Sequence, residues 1–169
     1  MQDFQVLYEN YNQVIFRFLL RLTNYNADIA DELTQETFFQ VYISLPGYKG
    51  KSSIITWICS IAKNVSYKYY HKNPIVLQLD KLETQPNAVH AAEQGVQDVI
   101  EHKEILTFTL NGIMNLKPKY RDVLIYRLFF DMPFAEIAAV MKIKENSAKV
   151  IFHRGKEMVR KEVEGIYDE

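Results

Sequence analysis

Apolar residues recur along most of this chain at the three- and four-residue spacing of an α-helix. Leu7, Tyr11, Val14, Ile15, Phe18, Leu19 and Leu22 mark a first helix. Asn24-Tyr25-Asn26 reads as a turn, and Asp28 to Ser44 as a second helix with Ala30, Leu33, Phe38, Val41 and Tyr42 in register. Leu45 to Gly50 is a loop by its Pro and Gly content. Ser52 or Ser53 then caps a third helix reaching about His71, with Ile54, Ile58, Ile61 and Val65 as its apolar face. Asn73-Pro74 breaks that helix.

Residues 73–97 are weakly periodic and contain two prolines and a glycine, the pattern of a linker with at most short helical turns. Beyond it, Ile105, Leu106, Leu110 and Ile113 mark a helix, and Lys117-Pro118 opens another carrying Val123, Leu124, Arg127 and Leu128. Pro133 to Lys161 then reads as two short amphipathic helices joined by a tight turn. Phe134, Ile137, Ala138 and Met141 line the first; Ala148, Ile151, Phe152, Met158 and Val159 line the second. The pattern predicts an all-α protein of two small helical domains, 1–72 and 98–169, joined by a flexible linker over 73–97. The C-terminal domain is expected to be a helix-turn-helix domain.

Composition supports this. Hydrophobic residues are 48% of the 169, enough for a buried core, and six glycines and five prolines interrupt few helices. The net charge of −1 alone argues against a polyanionic partner. Its distribution argues the other way. No Asp or Glu stands between Thr37 and Leu79, where Lys49, Lys51, Lys63, Lys68 and Lys72 do. From Lys142 to Lys161, seven Lys or Arg face only Glu145 and Glu157. Acid gathers in 28–36, in 80–104 and at the C-terminus, so the chain is expected to meet a polyanion at two places.

The two basic patches differ chemically. A basic helix presented by a compact partner fits the major groove of DNA. On the hairpin alone, that reading and an ordinary solvated basic face stand level. The Ser53–His71 helix instead sets Trp57, Asn64, Lys68 and His71 along one face, flanked by Lys63, Tyr67 and Tyr70, after a loop carrying Tyr48, Lys49, Lys51, Ser52 and Ser53. Lysines attract phosphates, exposed rings stack on bases and an Asn amide can bond a base edge, which suits unpaired DNA. Trp57 reads first as core packing, alone or alongside such a role.

Four runs in order resemble the extracytoplasmic-function sigma factors of the sigma-70 family, small bacterial transcription initiation factors with two helical domains. Ala30 to Phe38 resembles the family's A-x-D-L-x-Q-E-x-F run. Tyr48 to Ser53 with Thr56-Trp57 resembles its aromatic-basic-Gly-x-Ser loop and T-W pair, and Ile61-Ala62-Lys63-Asn64 its I-A-x-N. Phe134 to Ala138 with Lys149 to Arg154 resembles the Y-x-E-I-A…K-x-x-x-H-R pattern of its promoter-reading hairpin. The resemblance implies a region 2-like domain over 1–72 and a region 4-like domain over 98–169.

What the resemblance implies is residue by residue. Leu33, Gln35, Glu36 and Phe38 would lie on the helix docking to core RNA polymerase, with Leu33 and Phe38 reading by default as core. Tyr48, Lys49, Lys51, Ser52, Ser53, Lys63, Asn64, Tyr67, Lys68 and His71 would handle the −10 element of promoter DNA. Asn146, Ser147, Lys149, Val150, His153, Arg154 and Lys156 would read the −35 element. The linker would thread the polymerase cleft. An anti-sigma factor, often membrane-anchored in this family, is implied as a further partner.

The chain departs from the pattern at several places. Lys68 stands where an Asp is common, His71-Lys72 replaces paired arginines, Lys142 the turn glycine, Ile151 a frequently basic position and Pro133 the usual Ser cap. Promoter sequence therefore does not transfer by analogy.

Two other classes compete. A helix-turn-helix repressor or activator would leave the acid-free aromatic loop and the Gln35-Glu36 face unexplained. An enzyme is disfavoured: His71, His90, His102 and His153 lack ligand spacing, and there is no phosphate-cradling glycine loop. No catalytic residue, metal, cofactor or small-molecule substrate is expected. Cys59, the single cysteine, reads as a buried small hydrophobe in a reducing compartment. With no signal-peptide pattern and no membrane-length apolar run, the expected location is the cytoplasm.

Overall fold

The computed structural model describes residues 3–73 and 96–167, with side chains described over 3–73 and 104–165. The expected linker and His90 and His102 lie outside the described residues or side chains. Among the described residues there are seven α-helices and no strand. They are α1 (Phe4–Leu22), α2 (Ala27–Ser44), α3 (Ile54–Lys72), α4 (Val96–Asn115), α5 (Pro118–Phe129), α6 (Phe134–Met141) and α7 (Glu145–Tyr167); a 3-10 turn spans Leu45–Gly47.

Local chemistry sets the boundaries. Side chains of Asp3, Asn26 and Ser53 accept from the first free amides of α1, α2 and α3 at 3.0, 3.1 and 3.3 Å. Pro118 takes the first turn of α5, where its missing N–H costs nothing. Pro133 precedes α6, and its carbonyl accepts from Glu136 and Ile137, both at 3.0 Å. Lys142 ends α6 with φ 55° and ψ 45°. Its amide reaches the Ala139 carbonyl while the Ile143 amide reaches Ala138 at 3.0 Å. That is the helix-ending motif that ordinarily holds glycine.

In the first half, α1, α2 and α3 pack around Ile15, Phe18, Leu19, Leu22, Ala30, Phe38, Val41, Ile58 and Ala62. Buried Thr34 and Thr37 direct their hydroxyls to Ala30 and Leu33 carbonyls one turn back, each at 2.7 Å, so neither is orphaned. In the second half, α4, α5 and α6 pack on the long α7 around Leu110, Ile113, Val123, Leu124, Ile137, Ala148 and Val159. Gly155 lets α7 approach α5 closely: a Cβ there would stand 3.2 Å from Leu124 Cδ1. The helical period overreaches at Val14, Tyr42, Ile105, Leu128 and Met158, which are exposed, because each lies at the edge of its helix's apolar stripe.

The two halves touch. The Phe18 ring of α1 packs edge-on against Phe129 and, with centroids 4.0 Å apart, against Phe130 at the end of α5. Asn24 donates to Thr107 Oγ1 at 3.2 Å. No helix among the described residues is long and apolar enough to cross a membrane.

Candidate nucleic-acid interface

Two exposed basic surfaces stand on different helices. The first is built on α3 and the loop before it. Lys49 and Lys51 are exposed, and Gly50 adopts φ 65°, turning the chain between them. Tyr48 is half-buried, with its ring 5.0 Å from that of Trp57 and its hydroxyl donating to the Ser52 carbonyl. Tyr48 and Trp57 thus brace the loop while keeping part of their faces open. Ser53 caps α3 and also donates to Thr56 Oγ1 at 2.7 Å. Along α3, Asn64, Lys68 and His71 are exposed at the spacing of one helical face.

Lys63 and Tyr67 do not join that face. They turn into the seam between the halves, where Lys63 is only 8% exposed. Its ammonium donates to Asp122 Oδ2 at 2.9 Å, and the Tyr67 hydroxyl donates to Asp122 Oδ1 at 2.9 Å. Arg121 lays its guanidinium 3.9 Å above the Tyr67 ring, and Lys63 lies 5.1 Å from the Tyr126 ring centre. Burial, and next the Asp122 charge, push the Tyr67 phenol well above the usual tyrosine range, so it remains a donor. The expectation that Lys63 and Tyr67 sit in the open DNA face is corrected here. Helical spacing places them beside Asn64 and Lys68, but α5 covers that edge.

The second surface is the outer side of α7. Asn146, Ser147, Lys149, Val150, His153, Arg154 and Lys156 are all exposed, while Ala148, Gly155 and Val159 face the core. Lys149 pairs with Glu145 one turn back at 2.9 Å, an exposed contact of small energetic weight. Short α6 packs across α7 through the edge-on Phe134 and Phe152 rings, completing the helix-turn-helix shape. Ile151 is half-buried and packs against the core.

A third surface lies on α2. Gln35 and Glu36 are exposed, but Leu33 and Phe38 are 7% and 2% exposed and belong to the core. They are corrected from contact residues to the packing beneath the face. Phe38 packs against Tyr8 with ring centres 5.0 Å apart. Exposed beside Gln35 and Glu36 are Phe39, Tyr42 and Ile43, which sequence reasoning missed as surface residues. An unbroken Phe38-Phe39 pair and a Val41-Tyr42-Ile43 run give no sign of which members face out.

Cys59 is buried, and burial, with a smaller contribution from the Glu136 charge, pushes its thiol up to about 12. Among the described residues no cluster of His, Cys, Asp and Glu could hold a metal ion.

Comparison with known proteins fits the order of these surfaces. Residues 7–73 match the family model for sigma-70 region 2 and residues 110–159 that for sigma-70 region 4, together more than half of the chain. The chain is 29% identical to the ECF RNA polymerase sigma factor SigM of Bacillus subtilis (strain 168), covering 91% of each. It is 25% identical to SigX of the same organism over 99% of this chain and 87% of that one. Among solved structures it resembles CnrH, determined with the cytosolic domain of CnrY, at a TM-score of 0.59 and 14% identity over 98% of this chain and 87% of that one. It also resembles the sigma factor RpoE of Bartonella quintana, determined with the anti-sigma factor NepR, at 0.57 and 18% over 97% and 98%. The structural likenesses establish the fold. With the two region models in order and these relatives matched over most of their length, the chain belongs to the sigma-70 family as a factor of the extracytoplasmic-function type.

Proposed function

We infer that this protein binds core RNA polymerase and directs it to specific promoters for transcription initiation, gripping DNA at two elements and contributing no catalytic group. The observation that carries this reading is the pair of separate basic surfaces, each on a segment matched by a different sigma region. Polymerase performs the bond-making chemistry; the chain's work is recognition and positioning.

The α7 surface is suited to duplex DNA. Its exposed Asn146, Ser147, Lys149, Val150, His153 and Arg154 can enter the major groove at the −35 element, with Lys156 near phosphates. The α3 surface is suited to the opened −10 strand. Lys49, Lys51, Lys68 and His71 can neutralise phosphates, Asn64 can bond a base edge and the open parts of Tyr48 and Trp57 can stack on bases. The α2 face is the candidate dock for polymerase. Gln35 and Glu36 supply polar contacts beside apolar Phe39, Tyr42 and Ile43, a mixture typical of protein interfaces. An anti-sigma factor is a further proposed partner, and the cytoplasm the proposed location.

The test is promoter opening by the reconstituted holoenzyme, followed by permanganate reactivity of unpaired thymines. Asn64→Ala with Lys68→Ala is expected to reduce opening at least about tenfold while core polymerase binding is retained, since two base and phosphate contacts are removed. Lys149→Ala or Arg154→Ala is expected to weaken −35 binding with a shallower salt dependence. Normal opening by the Asn64/Lys68 variant would refute the assignment of the α3 face.

A further inference from the structure

One lysine of the α6–α7 hairpin is held in a backbone conformation that its own side chain makes unfavourable. Lys142 ends α6 at φ 55° and ψ 45°, where a Cβ crowds the chain and glycine is at ease. The turn needs only the backbone there. The Lys142 amide bonds the Ala139 carbonyl at 3.4 Å and the Ile143 amide bonds Ala138 at 3.0 Å, and a glycine would make the same bonds. The Lys142 side chain is exposed, and its ammonium has no ion pair or hydrogen bond among the described residues. Strain that the fold does not require is a pointer to function.

The surroundings show which function. Ile143 packs against the core and leaves Lys142 and Lys144 exposed on either side of it. The acid nearest in sequence, Glu145, is already paired with Lys149 at 2.9 Å. Farther along α7, Arg160 is likewise held by Glu157 and Glu164. Lys142 and Lys144 are thus uncompensated cations, and they directly precede Asn146 and Ser147 at the start of α7. A helix-turn-helix sets the N-terminal residues of its second helix on base edges, so the turn before that helix stands at the groove wall, where phosphates run.

We propose that Lys142 is a phosphate clamp: its ammonium binds a backbone phosphate flanking the upstream promoter element and fixes how α7 sits in the groove, with Lys144 beside it. The inference rests on the reading of α7 as the duplex-binding helix. A lysine meets a phosphate oxygen as a point charge on a flexible stem and reads no base. The clamp therefore adds affinity alike for every sequence, and the chain gives up some stability to keep it.

The test uses the full-length protein with core polymerase and two labelled duplexes. One carries the elements shared by the starts that the protein directs on a promoter library; the other has the upstream element scrambled. Fluorescence anisotropy gives affinity across a salt series, and urea unfolding gives the stability of the free protein. Lys142→Gly should raise the urea midpoint yet weaken binding about eightfold at about 0.1 M salt, the loss of one phosphate contact. Both duplexes should lose alike, and the slope of log affinity against log salt should become shallower by about 0.9. Lys142→Arg keeps the charge at the same strained position and should bind as the wild type does. Arg17→Gln removes one exposed charge on α1 and should leave the slope unchanged.

Wild-type affinity and slope in Lys142→Gly would overturn the clamp. So would a lower urea midpoint, a loss confined to the duplex with the intact element, weak binding by Lys142→Arg, or an equal change in Arg17→Gln. A wild-type holoenzyme indifferent to the upstream element would instead refute the reading of α7, and the clamp with it, so the two failures are told apart.

Discussion

Thr56 donates its hydroxyl proton to a Glu136 carboxylate oxygen at 2.8 Å, although 80 residues separate the two. The Ser53 hydroxyl is tied to the same point: it accepts from the Thr56 amide as the cap of α3 and donates to Thr56 Oγ1. The start of α3 and the contact between the halves are thereby one hydrogen-bonded chain. Thr56→Val keeps the side-chain shape and removes the hydroxyl, so stability should fall by about 1 kcal/mol in urea unfolding. A double-mutant cycle with Glu136→Ala, which removes the acceptor, should return a coupling of about 0.5–1.5 kcal/mol. Strict additivity would mean that the bond is not made in solution.

Lys142 occupies a left-handed conformation, φ 55° and ψ 45°, at the end of α6. A side chain there costs about 1–2 kcal/mol. Glycine would relieve that strain but lose about 0.5–1 kcal/mol of chain entropy on folding. Lys142→Gly is therefore expected to stabilise the protein by roughly 0.5–1 kcal/mol. The urea midpoint should rise; a lower midpoint would show that the lysine side chain contributes something the backbone geometry hides.

Two glycines in helices should respond differently to alanine. At Gly155 the added Cβ would meet Leu124 Cδ1 at 3.2 Å and Cγ at 3.3 Å, and Leu124 is itself enclosed in the core. Gly155→Ala should cost about 1–3 kcal/mol through overpacking. At Gly112 the nearest atom is the end of the flexible Glu162 side chain, at 3.3 Å. Gly112→Ala should be near neutral, because movement of that carboxylate is offset by a helix-propensity gain of up to about 1 kcal/mol. Thermal melts of the two variants check the contrast.

Burial, and secondarily Glu136, holds the Cys59 thiol protonated up to about 12. Alkylation by iodoacetamide at mildly alkaline pH should be negligible in the native protein and rapid in denaturant. The sign for stability follows from a folded-state value above the unfolded one. The contribution is whole below the ordinary thiol pKa near 9 and is lost as pH rises toward 12. Rapid native alkylation near neutral pH would contradict the buried placement.

Much of this was legible in the chain before any coordinates. The Asn24–Asn26 turn, the Ser53 cap, the Pro118 start and the α6–α7 hairpin are local signals, each carried by a few neighbouring residues. The exposed faces of α3 and α7 follow from period alone, as at Asn64, Lys68, Lys149 and Arg154. What period does not tell is what covers a face from elsewhere. Lys63 and Tyr67 flank the basic stripe and look solvent-bound, yet Asp122, 59 and 55 residues away, claims both. Likewise Phe38 and Phe39 are chemically alike, and only the packing of α1 on α2 decides that the first is core and the second exposed. The departures from the family pattern divide in the same way. Lys142 is a local strain visible in one residue's backbone, whereas half-buried Ile151 makes sense only once α7 is seated in its domain.

The central claim is that this chain gives core RNA polymerase its promoter choice, and reconstituted transcription tests it most directly. Core polymerase with and without this protein would be run on a library of promoter sequences, with transcript starts read by sequencing. Discrete starts are expected that require the protein, share an upstream and a downstream element, and weaken when Lys149 and Arg154 or Asn64 and Lys68 are replaced by alanine. Starts that are the same in number and position with and without the protein would contradict the claim.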